Sequence, residues 1–315
     1  MAETEALKDK LVVLFGGSGF LGHYLAQTLL KRGARLRIAS RNPERSHSLK
    51  PLANLGQIQF VRCNINDPDQ VRAVATHADA VVNLVGSFAG DQIQLMGNSA
   101  GVVAQAAADA GAKALVHISA IGANPDSSAT YGQANALGEK LVSQAFPKAT
   151  ILRPSALFGE DDNFVNMFAG LIQMLPVLPV FGPDSELQPA FVDDLAEAIA
   201  VALADPGKHG GKVYELGGPE VMTMLELNKR IAAAARRDPL FLPVPDPISA
   251  IFAALPATPI NGDQWSLLKE GNVVSGKHPG FEKLGIEPHP LGLFLDRWMT
   301  RYRKHGRFST SSTPT

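Results

Sequence analysis

LVVLFGGSGFLG, residues Leu11 to Gly22, passes from an apolar strand-like run into a turn carrying Gly16, Gly19 and Gly22, then into a helix bearing Leu21, Leu25 and Leu29. Glycine suits each of the three positions for a physical reason. The chain must reverse tightly at Gly16 and bring bare N–H groups against a pyrophosphate, whose charge the helix N-terminus stabilises. Gly22 is expected to let the helix pack closely on the sheet. The stretch predicts a dinucleotide-binding turn in which Gly16, Ser18, Gly19, Phe20, Leu21 and Gly22 meet the ligand. Gly17 and Gly22 also have the separation of a triphosphate-binding loop, but His23 and Tyr24 follow where Lys and Ser or Thr would have to meet phosphate and Mg²⁺. Kinase or ATPase chemistry is not expected.

The chain has 315 residues, 45% hydrophobic and 19% charged, which describes a globular protein with a substantial core. A formal net charge of -1 without a basic block argues against nucleic acid, which needs clustered Lys and Arg. Small molecules or proteins are the expected partners. The single cysteine, Cys63, allows no internal disulfide and reads as a buried apolar thiol in a reducing compartment. The 8 histidines include no pair spaced as metal ligands, so no metal site is expected. The opening MAETEALKDK has neither an apolar core nor an Arg-rich pattern, which points to the cytoplasm. Ile248 to Leu255 is the longest membrane-like run and is too short to span a bilayer.

From Leu11 to Pro154 short β-rich runs alternate with amphipathic helical stretches, which predicts an α/β fold with a parallel sheet covered on both faces. The runs are Leu11–Phe15, Leu36–Ser40, Ile58–Cys63, Ala80–Val85, Ala114–Ser119 and Thr150–Arg153. After Leu157 prolines interrupt short helices, as expected of a smaller, loop-rich lobe. The expected organisation is a Rossmann-type, doubly wound domain over residues 1–157 plus parts of 186–216. A smaller C-terminal lobe over 158–308 interleaves with it, and 309–315 form a disordered tail. Asp194 to Leu203 and Met224 to Ala235 are expected to be helices packed on the sheet. Phe241 to Leu255 is expected to be lobe core, with a docking surface for a partner or bilayer as the alternative.

Ligands collect beyond the carboxyl ends of the strands. The second run ends without the acidic residue that would bind a ribose 2′-hydroxyl, while Arg41 and Arg45 stand ready for a 2′-phosphate. NADP(H) is therefore expected over NAD(H), the alternative being that both arginines form a solvated helix start. Asn64 and Ile65 fall where adenine would lie, and Asp67 is expected to cap the following helix. Val85 and Gly86 fall on the path of the ribose and nicotinamide, although a buried strand end explains them nearly as well. Asp193 and Asp194 are expected to serve as N-cap and helix-dipole partners rather than as acid and base. Arg153 and Gln188 are expected either to contact ligand or to tie the lobes together.

From Val116 to Lys140, a strand-end Ser119 is followed by Tyr131 at the start of a helix, a layout that resembles the short-chain dehydrogenases. That resemblance implies a tyrosine that exchanges the substrate proton and a lysine four residues later that lowers its pKa and holds the nicotinamide ribose. Asn135 occupies the lysine position. An amide can bond a ribose hydroxyl but carries no charge, so the phenol is expected to stay near about 10. Lys140 is nine residues on, and at roughly 100° per residue it falls on the far side of the helix.

Ile151 to Ser155, Phe158-Gly159, Asp162 to Asn166, Ala145-Phe146-Pro147, Gln188 to Asp194 and Tyr302-Arg303 narrow the likeness. Over about residues 10 to 308 the chain resembles the nicotinamide-binding accessory subunits of respiratory complex I, as a bacterial member. The resemblance implies a tightly held NADPH, Pro154 among its contacts, a role in assembly and stability, and peripheral placement at the inner face of the plasma membrane. Asn135 departs from the lysine that many members retain. The rival expectation is an active reductase or epimerase on a hydrophobic carbonyl, sugar nucleotide or quinone-related compound, with Ser119 polarising the carbonyl and Tyr131 as acid.

Overall fold

The computed structural model describes residues 6–247, 249 and 262–304. The first strand, β1 (Leu11–Phe15), is buried on both sides. Val12 and Leu14 point into one core cluster and Val13 and Phe15 into the other, the period of two that a pleated strand imposes. Helix α1 (Phe20–Lys31) follows, then β2 (Arg35–Ser40), a 3-10 segment over Pro43–Leu52 and β3 (Ile58–Arg62). The chain continues through α2 (Pro68–Ala75), β4 (Ala80–Asn83), a π-helical turn over Ile93–Asn98, α3 (Ser99–Asp109), β5 (Ala114–Ile118), α4 (Thr130–Ala145) and β6 (Thr150–Pro154). The expected runs supply these six strands, the first with the same bounds and the other five with one end shifted by one or two residues.

A seventh strand, β11 (Val213–Leu216), completes the sheet in the order β11-β6-β5-β4-β1-β2-β3. All of its pairings are parallel. This is the doubly wound order, with the reversal point between β1 and β4. The sequence does not announce β11 as a strand, because it is four residues long and carries a buried glutamate, Glu215, in an otherwise apolar run. Leu25 and Leu29 of α1 pack on one face together with Leu195 and Ile199 of α6 (Val192–Ala204). Val71, Val103 and Val142, from α2, α3 and α4, cover the other face.

The remaining residues add three two-stranded pairs. These are β7 (Leu157–Phe158) with β10 (Ala190–Phe191), β8 (Val177–Phe181) with β13 (Leu240–Val244), and β9 (Glu186–Leu187) with β12 (Met222–Thr223). Helices α5 (Phe164–Met174), α7 (Pro206–His209), α8 (Met224–Ala234), α9 (Gly262–Glu270) and α10 (Gly292–Trp298) accompany them. Ile172, Leu178, Ile231 and Leu295 belong to the same core cluster as Leu14, so this part packs directly onto the sheet's covering layer. Phe191, Phe294 and Trp298 stack in sequence, with centroids 4.3 Å and then 4.8 Å apart.

Two expectations need correction. Asp194 does not cap its helix: Phe191 holds the N-cap position, and Asp194 is buried in the first turn of α6. There it accepts the His289 backbone N–H and pairs with His289 Nδ1, both at 2.7 Å, tying a distant loop to the helix. The core reading of Phe241 to Leu255 holds only in part where the structure describes it: Phe241 packs part-buried against the core and Val244 is buried, but Leu242 is turned outward. Leu240 and Leu242 are 66% and 54% exposed, because β13 pairs only with β8 and turns these residues to solvent on the same side as Val177 and Pro179. Residues 248 and 250–255 lie outside the described residues. Among the described residues, no helix is long and apolar enough to cross a membrane.

Candidate functional site

The glycine turn is built as a close-approach device. Gly16 has φ +79°, and a β-carbon there would press on Val85, so the turn after β1 touches the turn after β4. The Asn83 side-chain carbonyl holds that second turn by accepting the Val85 N–H at 3.2 Å. A β-carbon on Gly22 would collide with the carbonyl of Gly17, so Gly22 is required by the turn's own backbone rather than by the sheet. Gly19 caps α1 without a side-chain bond. The N–H groups of Phe20, Leu21 and Gly22, which have no intrahelical acceptor, therefore face outward together, as an anion requires.

The sheet order lines up the ends of β2, β1, β4, β5 and β6. Arg41, the glycine turn, Val85-Gly86, Ser119 and Pro154 thus lie along one rim. Arg41 and Arg45 are exposed, and among the described residues neither guanidinium has a protein partner. Beside them the Ser40 hydroxyl is buried with no hydrogen-bond partner among the described residues. His23 links this end of the cleft to the turn, its ring nitrogens lying 3.0 Å from the Gly19 carbonyl and 3.2 Å from that of Arg45. Asp67 caps α2 by accepting the Asp69 and Gln70 N–H groups. Ile65 is the exception along the rim. Its side chain is 7% exposed and packs with Val71 and Ala75, leaving little apolar face for a ring. Asn64 is exposed.

The Ser119, Tyr131 and Asn135 set comes together differently from the expectation. Ser119 is buried and donates its hydroxyl proton to Glu139 Oε1 at 2.5 Å. Asn135 donates to the Tyr131 carbonyl at 2.8 Å, a bond within its own helix. The Tyr131 ring stacks on Phe88, with centroids 4.5 Å apart and planes at 20°. Burial pushes the Tyr131 phenol above its ordinary 10.0, and the Asn135 side chain offsets this only in part. The expectation of an unshifted phenol is corrected upward.

Behind Ser119 lies a buried ionic cluster. Arg153 grips Glu139 through two bonds of 2.7 Å and approaches Glu215 at 3.5 Å. Glu215 in turn accepts the backbone and hydroxyl of Ser275. Gln188 donates to the Gly218 carbonyl and accepts the Val274 N–H. Of the two roles left open for Arg153 and Gln188, the observed contacts are those that tie segments of the fold together.

His117, on β5 beneath α4, is fully buried. Asn83 donates to its Nδ1 at 3.2 Å, while Nε2 has no partner among the described residues. Burial lowers its pKa from 6.5 to about 4, with Glu139 acting in the opposite direction. Because the imidazole stays neutral in the fold, the unfolded chain binds the extra proton between pH 6.5 and about 4. Stability is expected to fall as pH drops through that window, by about 3 kcal/mol from this residue. Urea midpoints measured across the window should show the slope flatten in His117→Gln, while a slope identical to wild type would contradict the assignment.

The profile of the NAD dependent epimerase/dehydratase family matches residues 12–217. This chain belongs to that family. Over 94% of its length the epimerase/dehydratase-family chain is 33% identical to the mitochondrial NADH dehydrogenase (ubiquinone) 1 alpha subcomplex subunit 9 of Arabidopsis thaliana, covering 79% of that protein. It is 32% identical to the Rattus norvegicus subunit of the same name, over 94% of the chain and 81% of the relative. In fold it is similar to an NADPH-dependent quinone oxidoreductase of Escherichia coli solved with NADPH, with TM-score 0.72, 20% identity, and 90% and 98% of the two chains covered. The family match includes the glycine turn, both arginines, Ser119, Tyr131 and Asn135. Phe88, Glu139, Asp263 and Glu270 bear on the site without having been singled out in the sequence. Glu139 alone had a usable signal, lying one helical turn beyond Asn135 on the same face.

Proposed function

We propose that the chain holds NADP(H) in this cleft with little or no turnover, as an accessory subunit of a complex I-type NADH dehydrogenase. The Ser119 hydroxyl carries the reading. Its one proton is committed to Glu139, which Arg153 holds from the other side. It is not free to polarise a carbonyl, and Tyr131 has an amide in place of a charged partner. The residues fit the coenzyme: outward N–H groups for the pyrophosphate, Arg41 and Arg45 for a 2′-phosphate, and Gly16 and Val85 in contact where the chain must lie flat. When bound, the coenzyme supplies a hydride. The protein's own part is to bind and orient it, and mass action then stabilises the fold. The relatives' printed names support the assembly role, and attachment through partners would place the protein at a membrane.

Native mass spectrometry of the protein drawn from its own membranes tests both halves. The expected result is retained NADP(H) together with NADH dehydrogenase subunits. In vitro, NADPH is expected to bind tighter than NADH, and Arg41→Ala/Arg45→Ala to cost NADPH about 10- to 100-fold, the worth of one charge-assisted contact. Equal affinities would defeat the NADP(H) assignment. Wild-type reduction of a carbonyl or quinone that Tyr131→Phe abolishes would reverse the reading in favour of an enzyme.

A further inference from the structure

Helix α9 reaches across the end of the cleft that contains Tyr131, and both of its ends are held by carboxylates. Asp263, in its first turn, accepts the backbone N–H of Thr130 at 2.5 Å and of Tyr131 at 3.3 Å. Glu270, its last residue, accepts the Ser127 hydroxyl, the Ser128 N–H and the Ser128 hydroxyl at 2.8 to 3.0 Å. Helix α4 has no side-chain cap of its own, since Ala129 holds the N-cap position. The open N–H groups of its first turn are thus closed from more than a hundred residues away, and those groups belong to the residues that place Tyr131. Asp263 also accepts the Gln92 amide at 3.2 Å, and the same amide lies 3.4 Å from the Phe88 carbonyl. The loops after β4 and β5 are thereby joined through one side chain.

The attachment is shallow. Trp265 is the only buried residue of α9 and Leu268 packs part-buried against the core, so little apolar surface holds the helix beside its two polar ends. Immediately after it, Gly271 has φ +79°, in the left-handed region that glycine adopts freely. Beyond that, Asn272 is pinned. Its side chain accepts the Ala156 N–H at 2.6 Å, its carbonyl accepts the Gln188 N–H at 3.0 Å, and its own N–H reaches Glu186 at 2.9 Å. A weakly buried helix joined through a glycine to a fixed anchor is the kind of element that opens locally while the rest of the fold stays closed.

We propose that α9 is a releasable clamp on the loops after β4 and β5, and that its undocking sets the rate at which the coenzyme leaves. This deepens the reading of the cleft as a dinucleotide site and rests on it. Asp263 and Glu270 are positioning residues: they act on the coenzyme through Thr130, Tyr131 and the loop bearing Phe88.

The test uses the full chain carrying Asp263→Asn and Glu270→Gln. NADPH release is followed by fluorescence after displacement with excess NADP⁺, and amide exchange is measured in the protein without coenzyme. Release is expected to quicken by about tenfold or more, since charge-assisted bonds at both ends are weakened. Exchange at Thr130 and Tyr131 should quicken as well. Ser128→Ala, which removes one exposed donor and leaves both carboxylates in place, gives a milder shift in the same direction and serves if the double variant does not fold. Unchanged release in a variant whose Thr130 and Tyr131 amides exchange faster would overturn the clamp alone. Unchanged exchange would overturn the docking itself. A wild-type protein that binds no NADPH would overturn the dinucleotide reading, and the clamp's role in release with it.

Discussion

Gly22→Val is expected to abolish measurable NADPH binding and to lower stability by about 3 kcal/mol, the upper range for forcing extra volume into a packed site. A β-carbon at position 22 has no open direction, because the nearest atoms are the Gly17 carbonyl and Cα rather than a movable side chain. Relief requires the turn itself to shift, and the turn carries the N–H groups that face the pyrophosphate. Losing two such charge-assisted bonds at about 1.5–3 kcal/mol each weakens binding by roughly 10²- to 10⁴-fold. Gly170→Ala in α5 is the control. Nothing lies within 4 Å of its added carbon, so it should match or exceed wild-type stability and leave NADPH titrations unchanged. Thermal melts and titrations on both proteins decide the matter, and tight binding by Gly22→Val would remove the glycine turn from the site.

The turn was legible in the sequence because strand, glycines and helix are local to one another, and so were the six strands that buried apolar runs betray. β11 was hidden by Glu215, which belongs there only because Arg153 of the neighbouring strand faces it across the β11–β6 pairing. Glu139 and Ser119 are separated by 20 positions, and α9 and α4 by more than a hundred, so no spacing rule connects them. The sequence displayed the parts of a dehydrogenase site in order, with one substitution at Asn135. The structure shows that the Ser119 proton is directed inward as well. The Ser119–Glu139 bond is a tertiary contact that no local pattern announces, whereas Asn135 is read from its spacing to Tyr131 and bonds within its own helix.

Arg153→Met is expected to be the most destabilising single change at the ionic cluster, costing about 3–5 kcal/mol. Its side chain is 18% exposed, and the carboxylates it serves are 11% and 6% exposed at Glu139 and Glu215. Removing the guanidinium leaves two anions facing one another with only hydroxyl and backbone donors from Ser119 and Ser275. Most of the cost is therefore the penalty of unpaired buried charge, and only a minor part is lost packing, since methionine fills much of the same volume. That division has a testable consequence. Glu139→Gln and Glu215→Gln, added together to Arg153→Met, should recover most of the lost stability even though every ionic contact is then gone, because a neutral buried amide is far cheaper than an uncompensated carboxylate. Chemical denaturation of the single and triple variants measures it. A triple variant no more stable than Arg153→Met would show that the arginine acts through shape, and would leave the inward aim of Ser119 without its electrostatic cause.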